Sequence, residues 1–145
     1  MITIDGSQHS GSGTIVRYSV ALAALLHEPV RIINVRQNRA HRGLRTRHVA
    51  SVLAGAALCG ASTEGVQVES REFTVPGARL SGGTFEWNIG TAGPTTMLAL
   101  SVLPVACFAD AAVSARIEEG GQEQYGVPIW RRPRGNTWPN LRSDR

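Results

Sequence analysis

The sequence contains no lysine, and all fifteen of its basic residues are arginine. That absence removes a phosphate-loop lysine, a lysine nucleophile and a Schiff-base lysine. Cysteine is scarce too. Cys59 and Cys107 form no Cys-x-x-Cys pair and no histidine-linked ligand spacing. Both sit in apolar runs and read as reduced core residues of a cytoplasmic protein. The longest apolar run, Pro94 to Ala109, is too short to span a bilayer and contains Pro104, so no membrane association is expected. The opening MITIDG lacks a charged segment followed by an apolar one, so no signal peptide is expected. HExxH, GxSxG and paired-carboxylate spacings are also missing. Glu118, Glu119 and Glu123 cluster late in the chain and read as solvated rather than metal-binding.

What is present is positive charge, unevenly placed. Residues 1–60 carry seven arginines against two acids, residues 61–124 three against eight, and residues 125–145 five against one. The first block is a local basic field of the kind that attracts phosphate. Its densest part, NVRQNRAHRGLRTRHVAS (Asn34 to Ser51), holds five arginines, two histidines and no acid. Arginine presents a planar fork that grips phosphate through two hydrogen bonds. A cluster this dense repels itself unless an anion neutralises it, so Arg36, Arg39, Arg42, Arg45 and Arg47 read as anion-binding. His41 and His48 would add donors when protonated. His9 and His27 read as surface residues. Arg17, one turn into a helix, reads on spacing alone as a solvated helix arginine.

Hydrophobic periodicity gives an α/β chain, a strand at Ile2 to Ile4 being followed by a helix from Thr14 to Leu26 capped by Ser12. Ile15, Tyr18, Leu22 and Leu25 share one face of that helix. Val30 to Val35 follows as a strand and Leu44 to Cys59 as a helix with Val49, Val52, Leu53 and Ala56 on its apolar face. Val66 to Val75 and Gly83 to Ile89 read as strands. A third helix opens at Gly90-Thr91-Ala92-Gly93-Pro94 and is bent or ended early by Pro104. Ala112 to Ile117 is a further strand, and the pattern dissolves after Gly121. The order is β-α-β-α-β-β, then a fresh helix and strand. GSGTIVRYSVAL and GTAGPTTMLALSV are both glycine loops entering an apolar helix, about eighty residues apart, which suggests a repeated unit. The division expected is a first unit at 1–86, the start of a second at 87–124 and an irregular basic tail at 125–145. Gly11 and Gly13 flank a helix start, where free N–H groups attract anions. A glycine turn that only bends the backbone is the competing reading.

Taken in order, these segments resemble the RNA 3′-terminal phosphate cyclase family. The resemblance rests on IDGSQ (Ile4 to Gln8), the glycine loop leading to IVR (Ile15 to Arg17), RQNRAHRGLRTRHV (Arg36 to Val49), LCGA (Leu58 to Ala61), NIGTAG (Asn88 to Gly93), SVLP (Ser101 to Pro104), FAD (Phe108 to Asp110) and EGG (Glu119 to Gly121). It covers roughly the first 120 residues. It implies an α+β two-layer sandwich of repeated units, each a four-stranded sheet on two helices, like the C-terminal domain of bacterial translation initiation factor three. It implies ATP- and Mg2+-dependent conversion of an RNA 3′-phosphate to a 2′,3′-cyclic phosphate, through an AMP-carrying histidine. Arg17, Arg36, Arg39, Arg47, His48, Gly11 and Gly13 would then face nucleotide or RNA phosphates, with Arg42 and Arg45 on RNA.

Departures from the family pattern are several. Ser10 stands where a metal-holding glutamate is usual, Arg42 for a proline, Arg47 for a glutamine, Leu100 for a glutamine, and GGQEQ (Gly120 to Gln124) for a GGTDN-like stretch. The family's nucleophilic histidine lies in its C-terminal third, and none of the four histidines here matches its context. No catalytic residue is therefore assigned, and the chain is not expected to turn over ATP alone. The tail IWRRPRGNTWPNLRSDR reads as out-of-frame translation or as a basic RNA-binding extension. Three readings stay open: a part of a cyclase completed by a partner polypeptide, a non-catalytic RNA-binding module, and a decayed fragment prone to self-association.

Overall fold

A computed structural model describes residues 1–90, 95–119 and 122–129, the last strand and Glu119 by backbone alone. Two three-stranded sheets share one pairing pattern, parallel then antiparallel. Strand β1 (Ile2–Asp5) runs parallel to β2 (Val30–Ile33), Ile2 opposite Val30, with helix α1 (Gly13–Leu26) crossing between them. Helix α2 (Thr46–Leu58) then leads to β3 (Phe73–Val75), antiparallel to β2. Strand β4 (Gly83–Asn88) runs parallel to β5 (Val113–Glu119) across helix α3 (Thr95–Ala106), and β6 (Gln122–Ile129) returns antiparallel to β5. Parallel neighbours need a crossover, and the Gly11-Ser12-Gly13 loop leads into the first.

Helices α1 and α2 are apolar on two sides because each has a neighbour on both. Val16, Val20 and Ala23 of α1, with Val52 and Ala56 of α2, close over Ile32 and Phe73 of the first sheet. Ala21 and Ala24 of α1, with Ala54 and Leu58 of α2, meet Leu98, Val102 and Val105 of α3 and Val113 and Ile117 of β5. Each fully buried aliphatic side chain contributes about 1.5–3 kcal/mol. The helices approach closely where Gly55 faces Val20; a Cβ there would lie 2.9 Å from Val20 Cγ1.

Val52 and Ala56 of the expected faces are buried, but the large residues do not mark these faces, which corrects the rest of the sequence reading. Tyr18, Leu22 and Leu53 are exposed, and the core side of each helix is built mainly from valine and alanine. Cys59 is buried, whereas Cys107 is exposed at the end of α3. Pro104 stays inside α3, which continues to Ala106. Only Phe73–Val75 of the expected 66–75 strand is extended in a sheet. The segment before it turns instead, with Glu69 left-handed and a single bridge from Glu64 to Thr74.

The expected β-α-β-α-β-β unit also changes. Its last strand, β4, pairs with β5 and opens the second sheet, so the first sheet has three described strands. The expected 86/87 division falls within this continuous strand. The chain does not become irregular after Gly121, since Gln122–Ile129 forms β6. Thr91 to Pro94 and the tail from residue 130 lie outside the described residues. No described helix is long and apolar enough to cross a membrane.

Candidate functional site

Beyond the C-terminal ends of β1 and β2, the first turns of all three helices meet around one cleft of about 380 Å³. Open α/β sheets bind ligands at this end of their parallel strands. The lining comprises Ser12, Gly13, Thr14 and Arg17 from the start of α1, Arg47 and His48 from the start of α2, Met97 from α3, and Arg36 and Arg39 from the loop after β2. None of the three helices has an acid in its first turn. Their dipoles therefore add to the arginine charge rather than meeting a local carboxylate.

Local chemistry fixes each part. Ser12 caps α1, its Oγ accepting from Thr14 N at 3.3 Å. Gly13 carries no side chain because the His48 ring fills that space; an added Cβ would lie 2.7 Å from His48 Cδ2. His48 is 2% exposed. Its Nδ1 accepts from the Arg45 backbone N–H at 3.1 Å, capping α2. That bond leaves the proton of the neutral ring on Nε2.

The basic loop is held at both ends. Gly43 N–H donates to Val35 O at 2.9 Å, closing the loop over Arg36 to Arg42. Asp5 Oδ1, at the end of β1, accepts from Ser7 N at 2.9 Å and from Asn34 Nδ2 at 3.2 Å. Asn38 Nδ2 donates to Ser7 O at 2.6 Å. Arg36 is left-handed, with φ 54°, a conformation costly for a side-chain-bearing residue and concentrated at functional sites.

Among the described residues, ion pairs join Arg31 to Glu72 and Arg116 to Glu86 and Glu118, and none involves a cleft arginine. Burial, then the Arg47 charge, lowers the pKa of Arg17. Burial, then Arg47, Arg39 and Arg45, lowers that of Arg36. His48 is pushed down to about 4 by burial and by Arg36, Arg47, Arg17 and Arg45 in turn. The cleft thus stores repulsion that a bound anion would relieve.

The sequence-derived residues Arg17, Arg36, Arg39, Arg47, His48 and Gly13 all reach this cleft. Gly11, left-handed at φ 55°, packs near Gly6 O and Asn38 instead. Arg45 serves as the α2 cap, and Arg42 is exposed outside the lining. Thr14 and Met97 were not singled out by sequence reasoning; hydroxyls and thioethers in helix first turns carry no distinctive spacing. Magnesium at a phosphate site is usually held through one or two carboxylates, and the described cleft lining has none, its side-chain oxygens being the hydroxyls of Ser12 and Thr14.

His48 makes stability depend on pH. Its folded pKa lies below the ordinary 6.5, so the unfolded chain binds the extra proton between about 4 and 6.5. Stability is fully present above 6.5 and lost as pH falls through that window, on the order of 2–3 kcal/mol. Thermal unfolding from pH 7 to 4.5 is expected to show this loss, and His48→Gln to flatten it. An unchanged slope in that variant would contradict the assignment.

The fold and cleft together define a mixed α/β protein with one strongly cationic cleft among its described residues. The chain belongs to the RNA 3′-terminal phosphate cyclase family, whose profile matches residues 8–134. It is 43% identical over 129 residues to the RNA 3′-terminal phosphate cyclases of Pyrococcus furiosus and Pyrococcus abyssi, covering 89% of this chain and 38% of each relative. The cyclase of Nitrosospira multiformis is 40% identical over the same length, covering 36% of that protein. The chain therefore spans well under half the length of these relatives. The family match runs past Gly121, so residues 122–134 continue the family sequence where the hydrophobic pattern alone suggested a stop.

Proposed function

We propose that this chain is the phosphate-holding part of an RNA 3′-terminal phosphate cyclase, with the cleft taking the terminal phosphate of RNA and the phosphates of ATP. The observation that supports this most is the meeting of Arg17, Arg36, Arg39 and Arg47 at three helix starts with no carboxylate among them. Charge-assisted bonds from arginine to phosphate are roughly twice as strong as neutral ones. The exposed Arg42 and the nearby Arg45 would extend the field along the RNA.

The turnover step needs a nucleophile from elsewhere. His48 has Nδ1 engaged by Arg45 and its ring packed on Gly13, which supports a holding role. The AMP-carrying histidine would come from the part of the relatives this chain does not span, or from a partner polypeptide. The cytoplasm is the compartment such RNA processing implies. The repeated β-α-β step further suggests two units like those of the translation initiation factor three C-terminal domain. Strands β1 and β4, and helices α1 and α3, begin about eighty residues apart, as the sequence echo suggested.

Fluorescence anisotropy with matched oligoribonucleotides tests the reading. An RNA ending in a 3′-phosphate is expected to bind at least tenfold tighter than the same RNA ending in a hydroxyl, with affinity falling as salt rises. Equal affinities for the two ends would sink it.

A further inference from the structure

We infer that the cleft takes phosphate chains free of divalent metal, with Arg47 supplying the charge that a cation would otherwise bring. The inference rests on the phosphate-holding reading and adds the ionic form of the ligand.

The donor set carries it. Magnesium-complexed phosphates are usually recognised where a protein offers one or two carboxylates to the metal and cations to the free oxygens. The described lining offers four guanidiniums, one imidazole N–H and two hydroxyls, and no carboxylate. A magnesium ion bound to the ligand would bring two more positive charges into a space where the arginines already repel one another. It would also occupy the oxygens that the guanidinium forks need.

Arg47 lines the cleft and is exposed, and its charge opposes those of Arg17 and Arg36 and the proton on His48. It sits in the first turn of α2, next to His48, whose ring is fixed by Arg45 and Gly13. A guanidinium on that first turn is a permanent charge. It is independent of metal concentration and shaped for two oxygens at once.

Calorimetric titration with inorganic pyrophosphate at constant ionic strength tests this. One arm contains EDTA and the other contains magnesium in excess over pyrophosphate. Binding is expected in EDTA, and at least tenfold weaker binding with magnesium. Binding only with magnesium, tighter binding with it, or equal affinity in both arms would overturn the inference while leaving the phosphate reading in place. No binding in either arm would overturn both.

Arg47→Gln, a change at an exposed side chain, supplies the second arm, with circular dichroism to confirm folding. Its affinity in EDTA is expected to drop about tenfold, and the magnesium penalty to shrink. An unchanged affinity and penalty would remove Arg47 from the account.

Discussion

Replacing Gly43 by alanine is expected to lower the melting temperature by on the order of 10 °C and to abolish the cleft's affinity for phosphate. Gly43 is left-handed, with φ 75°, which costs an L-residue about 1–2 kcal/mol. An added Cβ would also collide with the Glu69 backbone, lying 2.6 Å from its carbonyl carbon. Backbone cannot swing aside as a flexible side chain can, and overpacking of this kind costs about 1–3 kcal/mol more. The collision falls on a seam. Leu44 N donates to Ser70 O, Glu69 N to Leu44 O, and Val35 N to Arg71 O, all at 2.7–2.9 Å. Opening that seam releases the closed loop that presents Arg36 and Arg39. Gly60 provides the control: it is also left-handed, at φ 58°, but a Cβ there meets nothing within 4 Å. Gly60→Ala should show the conformational cost alone and keep phosphate affinity. Calorimetry on both variants separates the two contributions, and equal losses would contradict the packing argument.

The double substitution Arg36→Ala with Arg39→Ala is expected to act on binding and stability in opposite directions. Hydrogen bonds to charged groups contribute about 1.5–3 kcal/mol each, so affinity for 3′-phosphorylated RNA should fall roughly a hundredfold or more. The salt dependence should become shallower, by about 0.7 per lost phosphate contact on single-stranded RNA. The fold should be no less stable and should gain slightly. Arg39 and Arg45 oppose the charge of Arg36, and Arg36 in turn opposes the proton on His48. Sites kept for function commonly carry destabilising charge in this way. Undiminished RNA affinity would place the RNA on another surface, and a large stability loss would show that these arginines are structural.

How far the sequence revealed this arrangement depended on the kind of signal. Arginines 36, 39 and 47 stood out because five like charges within eighteen residues, with no acid among them, repel one another until an anion sits between them. On spacing alone Arg17 could not be separated from a solvated helix arginine; the family resemblance singled it out, and its place in the cleft lining follows from setting α1 against α2. His48 was legible as a polar member of the basic stretch, but its buried ring, fixed by Arg45 and fitted against Gly13, is a tertiary feature. The helix faces were misread for a related reason. Amphipathic periodicity assumes one buried side, whereas α1 and α2 are covered on two, so alanine and valine rather than Tyr18, Leu22 and Leu53 form the contacts. Strand β4 illustrates the limit of local pattern: its residues read correctly as extended, but only its register with β5 shows which sheet it joins.

The central claim is that this one cleft holds the phosphate. Arginine and histidine side-chain nitrogen resonances, followed by NMR during titration with a 3′-phosphorylated oligoribonucleotide, test it most directly. The account expects the Nε signals of Arg17, Arg36, Arg39 and Arg47 and the Nε2 signal of His48 to shift together. Arg31, Arg71, Arg79 and Arg116, which lie outside the cleft lining, should stay in place. Shifts confined to that second group, or spread evenly over all arginines, would contradict it.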